Sequence, residues 1–336
     1  MNVIIPVAGL GTRLRPQTWS KPKPLVNVAG KPVLGHVLDR LLQLPLNRVV
    51  FVTGYLGDQI ESYVRANYRF DAVFVEQREQ LGQSDAVIQA RDEVEGPTMI
   101  VFPDMLFEAD LEQLETLDAD GALFVKAVDD PRRFGVVVLE DGRIARLVEK
   151  PRDAISNLAV VGIYYFRDIA CLFHAIDVQV RERITTGGEY YLADAIQHLI
   201  DHGARFSSLN VSVWEDCGNP DALLTTNRYM LERLGYDTPI ISGAVIVPPV
   251  VIDPTATIRN AVIGPFASIG ARVSVTNSII TDSIVDEGAQ IETAMLTRSI
   301  IGRQAYVRGD FVRVNLGDSS DITLAGSSDS GANGRG

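Results

Sequence analysis

The first 38 residues of the chain carry positive charge and no negative charge. They contain Arg13, Arg15, Lys21, Lys23 and Lys31 but neither Asp nor Glu, whereas the whole chain of 336 residues has a formal net charge of -12. A basic segment in a chain that is acidic overall predicts a site for an anionic ligand.

A glycine-rich turn follows the first apolar segment. Residues 3–7 are typical of a short buried strand, and the turn after it, residues 8–12 (AGLGT), is rich in small residues that let a ligand approach the backbone. Successive backbone N–H groups in such a turn bind anions, and Thr12, Arg13 and Lys23 add a hydroxyl group and two positive charges. The segment therefore predicts a phosphate-binding turn.

Two common phosphate motifs do not fit these residues. A dinucleotide-binding motif, G-x-G-x-x-G, would need a third glycine where Leu14 stands, and Pro16 would interrupt the helix that follows. A Walker A motif needs Gly-Lys followed by Ser or Thr, but Lys31 is followed by Pro32. Both motifs are excluded.

Two carboxylates follow predicted strands. Asp104 comes after the apolar segment 98–102, and Asp216 comes after the segment 207–214. Mg²⁺ on a nucleoside triphosphate is held by one or two protein carboxylates together with oxygens of the substrate and of water. Each residue alone is also typical of a helix cap or a turn, so position alone leaves both interpretations open.

The order of these residues resembles the signature of the sugar-1-phosphate nucleotidylyltransferases. The matching segments are G-x-G-T-R-L-x-P-x-T at 9–18, K-P-K-P-L-V at 21–26, G-K-P-V at 30–33, F-P-D-M at 102–105 and W-E-D-C-G at 214–218. The resemblance implies that Arg13 and Lys23 bind the triphosphate and the leaving pyrophosphate, and that Asp104 and Asp216 hold Mg²⁺. It also implies a set of nucleotide contacts: Ala8, Gly9, Gly11, Thr12, Gln77 and Gly82.

Two further segments resemble the part of the family signature that binds the sugar phosphate. They are F-G-V at 134–136 and V-E-K-P at 148–151. The resemblance implies that Lys150 acts on the acceptor phosphate, that Glu149 binds sugar hydroxyls, and that the backbone of Gly135 approaches the hexose. Asn157 matches a polar sugar contact less closely.

Residues 77–86 (QREQLGQSDA) resemble the segment that recognises the base. The Gln77 amide can both donate and accept, which suits the adjacent oxygen and N–H of a pyrimidine. The family's usual T-A-H or A-Q-A after the glycine is Q-S-D here. The resemblance implies transfer from dTTP or UTP to glucose 1-phosphate. Alternatives are guanylyl transfer to mannose 1-phosphate, a regulatory paralogue that binds nucleotide sugar without turnover, and an acyl-transferring β-helix protein with a vestigial first domain.

Apolar segments alternate with helical segments in the first part of the chain. Strands are expected at 3–7, 48–53, 72–75 and 98–102, and helices at 33–44, 58–69 and 84–93. This alternation predicts an α/β fold, a Rossmann-like, mainly parallel sheet with helices on both faces, over residues 1–236. Ligands of such sheets bind beyond the carboxyl ends of the strands, so the loops after these strands should share one rim.

Aliphatic residues recur every five or six positions beyond residue 241, with small residues before most of them. Repeats of this length predict a left-handed parallel β-helix over 241–317, whereas a β-sandwich would have longer strands. The repeats resemble the β-helix of bifunctional acetyltransferases, but all four histidines precede them, so the histidine that serves those enzymes as general base is absent. An Asp or Glu would have to take its place. We expect the β-helix to serve assembly or regulation, with a homo-oligomer formed through it, and residues 318–336 to form a disordered tail.

The composition narrows the class of protein. With 46% hydrophobic and 22% charged residues, the chain is expected to be globular, with one large domain and a smaller one. Its negative charge argues against a general nucleic-acid or membrane-surface binder, and no apolar segment approaches the length of a membrane span. Two cysteines without metal-ligand spacing are expected to be reduced thiols in a cytoplasmic protein.

Overall fold

The alternation of strands and helices predicted for the first 236 residues is present in the computed structural model, which describes residues 1–309. The strands of this part are β1 (Asn2–Pro6), β2 (Asn27–Val28), β3 (Lys31–Pro32), β4 (Arg48–Thr53), β5 (Ala72–Glu76), β6 (Thr98–Val101), β7 (Met105–Glu108), β8 (Gly121–Ala127), β9 (Gly135–Glu140), β10 (Arg143–Glu149), β11 (Leu158–Phe166), β12 (Phe206–Asn210) and β13 (Val213–Asp216). The helices are α1 (Val33–Leu41), α2 (Gly57–Asn67), α3 (Gln83–Ile88), α4 (Ala170–Glu182), α5 (Leu192–Asp201) and α6 (Pro220–Leu234).

Nine strands form one sheet in the order β10-β9-β11-β6-β1-β4-β5, to which β8 and then β12 are added through β11. β1 runs parallel to β4 and β6, and β4 runs parallel to β5, so the carboxyl ends of these four strands meet at one edge. The antiparallel part is made by β11 and by the β9–β10 hairpin, which the Asp141-Gly142 turn predicts. The predicted α/β class is confirmed.

Helices cover both faces of this sheet because successive strand residues point to opposite sides. In β1, Val3 and Ile5 belong to one core together with α1, α2 and α6. Ile4 belongs to a second core together with α3, α4 and α5. The central strands are apolar on both faces for this reason, and they form a rigid base for the loops at their ends.

Several elements differ from the prediction. The expected strand at 207–214 is two strands, because the amide of Val211 donates to the Val125 carbonyl whereas the amide of Ser212 donates to the Glu108 carbonyl. The chain thus changes partner from β8 to β7 within two residues. The helix expected to reach residue 93 ends at Ile88 and is followed by a 3₁₀ turn at Arg91–Glu93. Helix α4 was not predicted.

Short parallel strands stack into three sheets beyond residue 243, which confirms the predicted left-handed parallel β-helix. One sheet contains β14 (Ala244–Ile246), β17 (Ala261–Ile263), β20 (Ile279–Thr281) and β23 (Met295–Thr297). The second contains β15 (Val250–Ile252), β18 (Ala267–Ile269), β21 (Ile284–Val285) and β24 (Ile300–Ile301). The third contains β16 (Thr257–Arg259), β19 (Ser274–Thr276), β22 (Gln290–Glu292) and β25 (Tyr306–Arg308). The inward aliphatic residues form a core of their own.

The second sheet of the β-helix packs against the first domain. Ile284 belongs to the first domain's core, and Ile300 and Val251 pack against it. The remaining residues of the predicted β-helix, 310–317, and the predicted tail, 318–336, lie outside the described residues. Within residues 1–309, no helix is long and apolar enough to span a membrane. Cys171 and Cys217 are both free thiols, and Cys217 is buried.

Candidate active site

A cleft lies at the carboxyl ends of β1, β5 and β6, where the predicted loops meet. Its first chamber is lined by the residues that follow these three strands, by the start of α3 and by Lys23 and Glu189. A second chamber is lined by the β9–β10 hairpin, β11 and the end of β13. Gln83, Phe102 and Asp104 line both chambers, so the two spaces adjoin at these residues.

Most of the predicted site residues line this cleft. The first chamber contains Ala8, Gly9, Lys23, Gln77, Gly82 and Asp104. The second contains Arg13, Asp104, Gly135, Glu149, Lys150 and Asp216. The first chamber is thus lined by residues that the family resemblance assigns to the nucleotide, and the second by those it assigns to the sugar phosphate. Arg13 is an exception, because it is assigned to the triphosphate but lines the second chamber.

Three predicted residues line neither chamber. Gly11 has a left-handed backbone (φ 62°), and a Cβ atom there would lie 2.8 Å from the Lys23 Cβ, so a glycine lets the turn pack against Lys23. Thr12 is exposed at the start of the 3₁₀ turn Thr12–Leu14. Asn157 is exposed just before β11, where its carbonyl accepts from the Val128 amide.

Asp104 and Asp216 are brought together by a two-stranded antiparallel ribbon. β7 begins directly after Asp104, and its first residue, Met105, pairs with Asp216 at the end of β13. The amide of Cys217 donates to the Asp104 carbonyl over 2.9 Å, which fixes the two loops to each other. Sequence reasoning placed both residues at strand ends but did not find β7, the element that joins them.

The donor set at this ribbon fits Mg²⁺. Asp104 and Asp216 both line the second chamber, and carboxylate oxygens are ligands that Mg²⁺ prefers. Lys23 Nζ lies 3.0 Å from Asp104 Oδ2 and balances its charge. Within residues 1–309 no cluster of three or more His, Cys, Asp or Glu side chains forms a complete metal cage. A cation here would take its remaining ligands from substrate and water, as Mg²⁺ on nucleotides usually does.

Glu149 and Lys150 form an ion pair of unequal exposure. Glu149 is largely buried, and this desolvation raises the pKa of its carboxyl, although Lys150 opposes the shift. For Lys150, partial burial lowers the pKa, but its hydrogen bond to Tyr191 and the charge of Glu149 outweigh that effect, and the net shift of the pKa is upward. Lys150 Nζ donates to the Tyr191 hydroxyl over 2.6 Å and stays charged in the second chamber.

The segment predicted to recognise the base, residues 77–86, presents an amide of fixed orientation. Gln77 is buried, and its Nε2 donates to Asp85 Oδ2 over 2.7 Å. This bond leaves Oε1 of Gln77 as the acceptor that the side chain offers to a ligand. Gly82 adopts a backbone conformation that residues with a side chain rarely adopt (φ 131°), and a Cβ there would lie 2.5 Å from the Tyr190 carbonyl oxygen. The loop therefore depends on Gly82 for its close approach to residue 190.

Several cleft residues were missed by sequence reasoning. Asp85 orients Gln77, Tyr191 holds Lys150, and Glu189 lines the first chamber. Glu189 and Tyr191 reach the cleft because Tyr190, the residue between them, pairs with Gly82, which is far away in sequence. The sequence does contain one indication, the Gly187-Gly188 turn before Tyr190 and Tyr191. It predicts a loop there, but it does not show that the loop packs near Gly82.

Comparisons with known proteins agree with this geometry. Residues 2–233 match a family model described as nucleotidyl transferase. Bifunctional protein GlmU of Methanocaldococcus jannaschii is 36% identical over 256 residues, which cover 74% of this chain and 60% of that protein. The match thus spans about three fifths of that relative's length. UTP–glucose-1-phosphate uridylyltransferase AglF of Haloferax volcanii is 36% identical over 231 residues, covering 66% of this chain and 93% of that protein.

One similar protein matches along almost its whole length. Glucose-1-phosphate thymidylyltransferase of Streptomyces antibioticus is 30% identical over 363 residues, covering 96% of this chain and 99% of that protein. Among solved structures, a UDP-glucose pyrophosphorylase complexed with UDP-glucose matches with a TM-score of 0.60 and 20% identity, covering 69% of this chain and 98% of that one. The structural likeness shows the fold alone.

Proposed function

The chain belongs to the nucleotidyl transferase family of sugar-1-phosphate enzymes, and from this premise we propose that it makes a nucleoside diphosphate sugar. A phosphate oxygen of the hexose 1-phosphate attacks the α-phosphorus of a nucleoside triphosphate. A new P–O bond forms, the bond to the β-phosphate oxygen breaks, and pyrophosphate leaves. The observation that carries the proposal is the pair of adjoining chambers that share Asp104, with Asp216 beside it.

The residues of this chain act mainly by positioning and by charge. Lys23, next to Asp104, and Arg13, in the second chamber, are placed to stabilise negative charge on the triphosphate and on the leaving pyrophosphate. Lys150, held by Tyr191, orients the acceptor phosphate for in-line attack. Mg²⁺ held by Asp104 and Asp216 would neutralise charge on the phosphate oxygens.

The proposed role of the metal carboxylates has a direct test. Asp104→Asn and Asp216→Asn each remove one anionic ligand without changing the shape of the side chain, so kcat should fall on the order of 100-fold or more with the fold intact. Asp118→Asn, at an exposed residue that lines neither chamber, is the control and should keep its rate. Near-wild-type kcat at saturating Mg²⁺ in either cleft variant would refute the assignment.

We propose dTTP or UTP as the nucleotide and glucose 1-phosphate as the acceptor. The fixed Oε1 acceptor of Gln77 suits the imide N–H of thymine or uracil. Two similar proteins are named for thymidylyl and uridylyl transfer to glucose 1-phosphate, which supports the same acceptor here.

A panel of five nucleoside triphosphates against several hexose 1-phosphates, with pyrophosphate release as the readout, tests the activity and the substrates together. We expect release with dTTP or UTP and glucose 1-phosphate. A clear preference for GTP or ATP would refute the base assignment. No release with any pair would refute the proposed activity.

We also propose that the chain forms a homo-oligomer through its β-helix. The outward residues of the first β-helix sheet form an apolar ladder, in which Val245, Val262, Ile279 and Met295 are paired in register. Three of them are well exposed, at 58% for Val245, 37% for Ile279 and 77% for Met295. A ladder of this kind can pack on its own copy across a two-fold axis.

A further inference from the structure

The β-helix contacts the first domain at the segment that carries Lys23. Lys21 is buried, with only 7% of its surface exposed, and its Nζ donates to Asp286 Oδ2 on the β-helix. Asn27 Nδ2 donates to the other carboxylate oxygen, Oδ1, over 3.0 Å. Asp286 thus contacts the segment 21–27 at both of its ends.

Asp286 is itself held rigidly. It follows β21, and its amide donates to the Ile301 carbonyl of the next coil over 2.9 Å. Its Oδ1 also accepts from the amide of Glu287 over 2.8 Å. The position of the carboxylate is therefore fixed, because each coil of the β-helix packs on its neighbours.

The chain between Lys21 and Lys23 is short and stiff. Pro22 restricts φ between the two lysines, and Pro24 follows Lys23 directly. The amide of Leu25 donates to the Pro22 carbonyl and that of Val26 donates to the Lys23 carbonyl, which closes a 3₁₀ turn at Lys23–Leu25. A shift of Lys21 therefore moves Lys23 as well, and Lys23 Nζ lies 3.0 Å from Asp104.

We infer that Asp286 is a positioning residue for the transfer reaction. By holding Lys21 and Asn27, it sets the place of Lys23 in the cleft, so the β-helix contributes to turnover within the same chain. Asp286 touches neither chamber, and its effect is exerted through Lys21. The inference rests on the proposed function, in which Lys23 binds the triphosphate.

A second aspartate of the β-helix provides a matched control. Asp282 is also a buried side chain at the contact between the domains, and it pairs with Arg228 of α6 over 2.9 Å. Its ion-pair partners, Arg228 and Arg298, both lie outside the segment 21–27. Asp286→Asn and Asp282→Asn therefore each weaken one ion pair between the domains in which the carboxylate is largely buried. Only the first variant alters a side chain that holds the segment 21–27.

The test compares these variants as full-length proteins. For Asp286→Asn, kcat/KM for the triphosphate should fall on the order of 10-fold to 100-fold, as is typical when a residue that orients a ligating group is lost. The Kd for a non-hydrolysable α,β-methylene analogue of that triphosphate should rise in parallel. Asp282→Asn should leave both kcat/KM and Kd within about twofold of the wild type, even if its Tm falls as much as that of Asp286→Asn.

A difference from Asp282→Asn of less than about twofold in both quantities would overturn the inference. If Asp286→Asn does not fold, Lys21→Met carries the test, since Asp286 then keeps Asn27 and the Glu287 amide as donors. Wild-type protein without pyrophosphate release would refute the proposed function instead. The two failures are therefore distinguishable.

Discussion

At the scale of single residues, Glu149 is a cleft carboxylate whose burial lowers the stability of the folded protein. Its carboxyl is desolvated, and its pKa is raised, so the folded protein holds a proton there at a pH where the unfolded chain has lost it. Stability from this residue is greatest at low pH and falls as the pH rises from the ordinary pKa through the raised one. At neutral pH the ionised Glu149 therefore opposes folding.

Glu149→Gln should raise Tm at neutral pH, because the buried charge is removed. The advantage over the wild type should shrink as the pH is lowered toward the ordinary pKa of a glutamate. The same variant should lose kcat/KM for the sugar phosphate by roughly 10-fold to 100-fold, the value of a hydrogen bond to a charged group. Thermal unfolding across pH and pyrophosphate release measure the two effects, with the exposed Glu140→Gln as control. A lower Tm at neutral pH would contradict the argument.

Asp85 should control base selection through Gln77. Asn at residue 85 could donate as well as accept, so the Gln77 amide would no longer be held in one orientation. We expect Asp85→Asn to lower the preference for UTP over CTP by about fivefold, since one hydrogen bond contributes roughly 1 kcal/mol. The ratio of kcat/KM values measures this, and Asp92→Asn, at an exposed residue, should leave the ratio unchanged. An unchanged ratio in Asp85→Asn would mean that Gln77 does not read the base.

Residues that follow strands were predictable, but those that orient them were not. Asp104 and Gln77 could be placed in the cleft because parallel strands end at one edge of a sheet. Asp85 and Tyr191 act through side-chain contacts with Gln77 and Lys150, and such contacts leave no periodic pattern in the sequence. The same holds for Asp286, which is 265 residues from its partner Lys21.

At the scale of elements, α6 joins the two domains through one buried side chain. Asn227 is fully buried, and its Oδ1 accepts from the Ala29 amide over 2.9 Å and from the Ser268 hydroxyl over 2.6 Å. Its Nδ2 donates to the Phe266 carbonyl over 3.2 Å. The next residue toward the amino terminus, Thr226, donates to the Asp216 carbonyl, so the same helix holds one edge of the cleft.

Asn227→Ala should destabilise the protein because it leaves buried polar groups of both domains without partners. Each such group costs about 1–3 kcal/mol, so we expect a loss of at least about 2 kcal/mol in the free energy of unfolding. Chemical denaturation measures this, and the exposed Asn67→Ala should change it by no more than about 0.5 kcal/mol. Equal stability of the two variants would show that Asn227 does not join the domains.

The period of the apolar residues predicted most helices and strands. The elements that it missed depend on which distant strands pair in the folded chain. The repeat of five or six residues predicted the β-helix because each coil buries the same positions against its neighbours. The switch of partner between Val211 and Ser212 was not visible, because the alternation of polar and apolar residues in 207–214 is also that of one continuous strand. That switch creates β13 and brings Asp216 to Asp104.

At the scale of the whole molecule, the three sheets of the β-helix have different outer surfaces. The second packs on the first domain. The third is mainly polar, with Thr257, Ser274 and Gln290 paired along its outer face and the exposed Tyr306 next in the same row. The first carries the apolar ladder of Val245, Val262, Ile279 and Met295. Contiguous exposed apolar surface of this kind marks an interaction site in soluble proteins, and a repeated, uncharged ladder is complementary to itself.

Charges placed on the ladder should therefore dissociate the proposed oligomer. Ile279→Lys with Met295→Lys would bring like charges together across a two-fold axis, and the particle mass from light scattering should fall toward the 36.7 kDa of one chain at equal concentration. Gln290→Lys places the same charge on the polar sheet and should leave the mass unchanged. Since the ladder lies away from the cleft, the dissociated variant should also keep its pyrophosphate release per chain. An oligomer that survives both ladder substitutions would place the subunit contact on another surface.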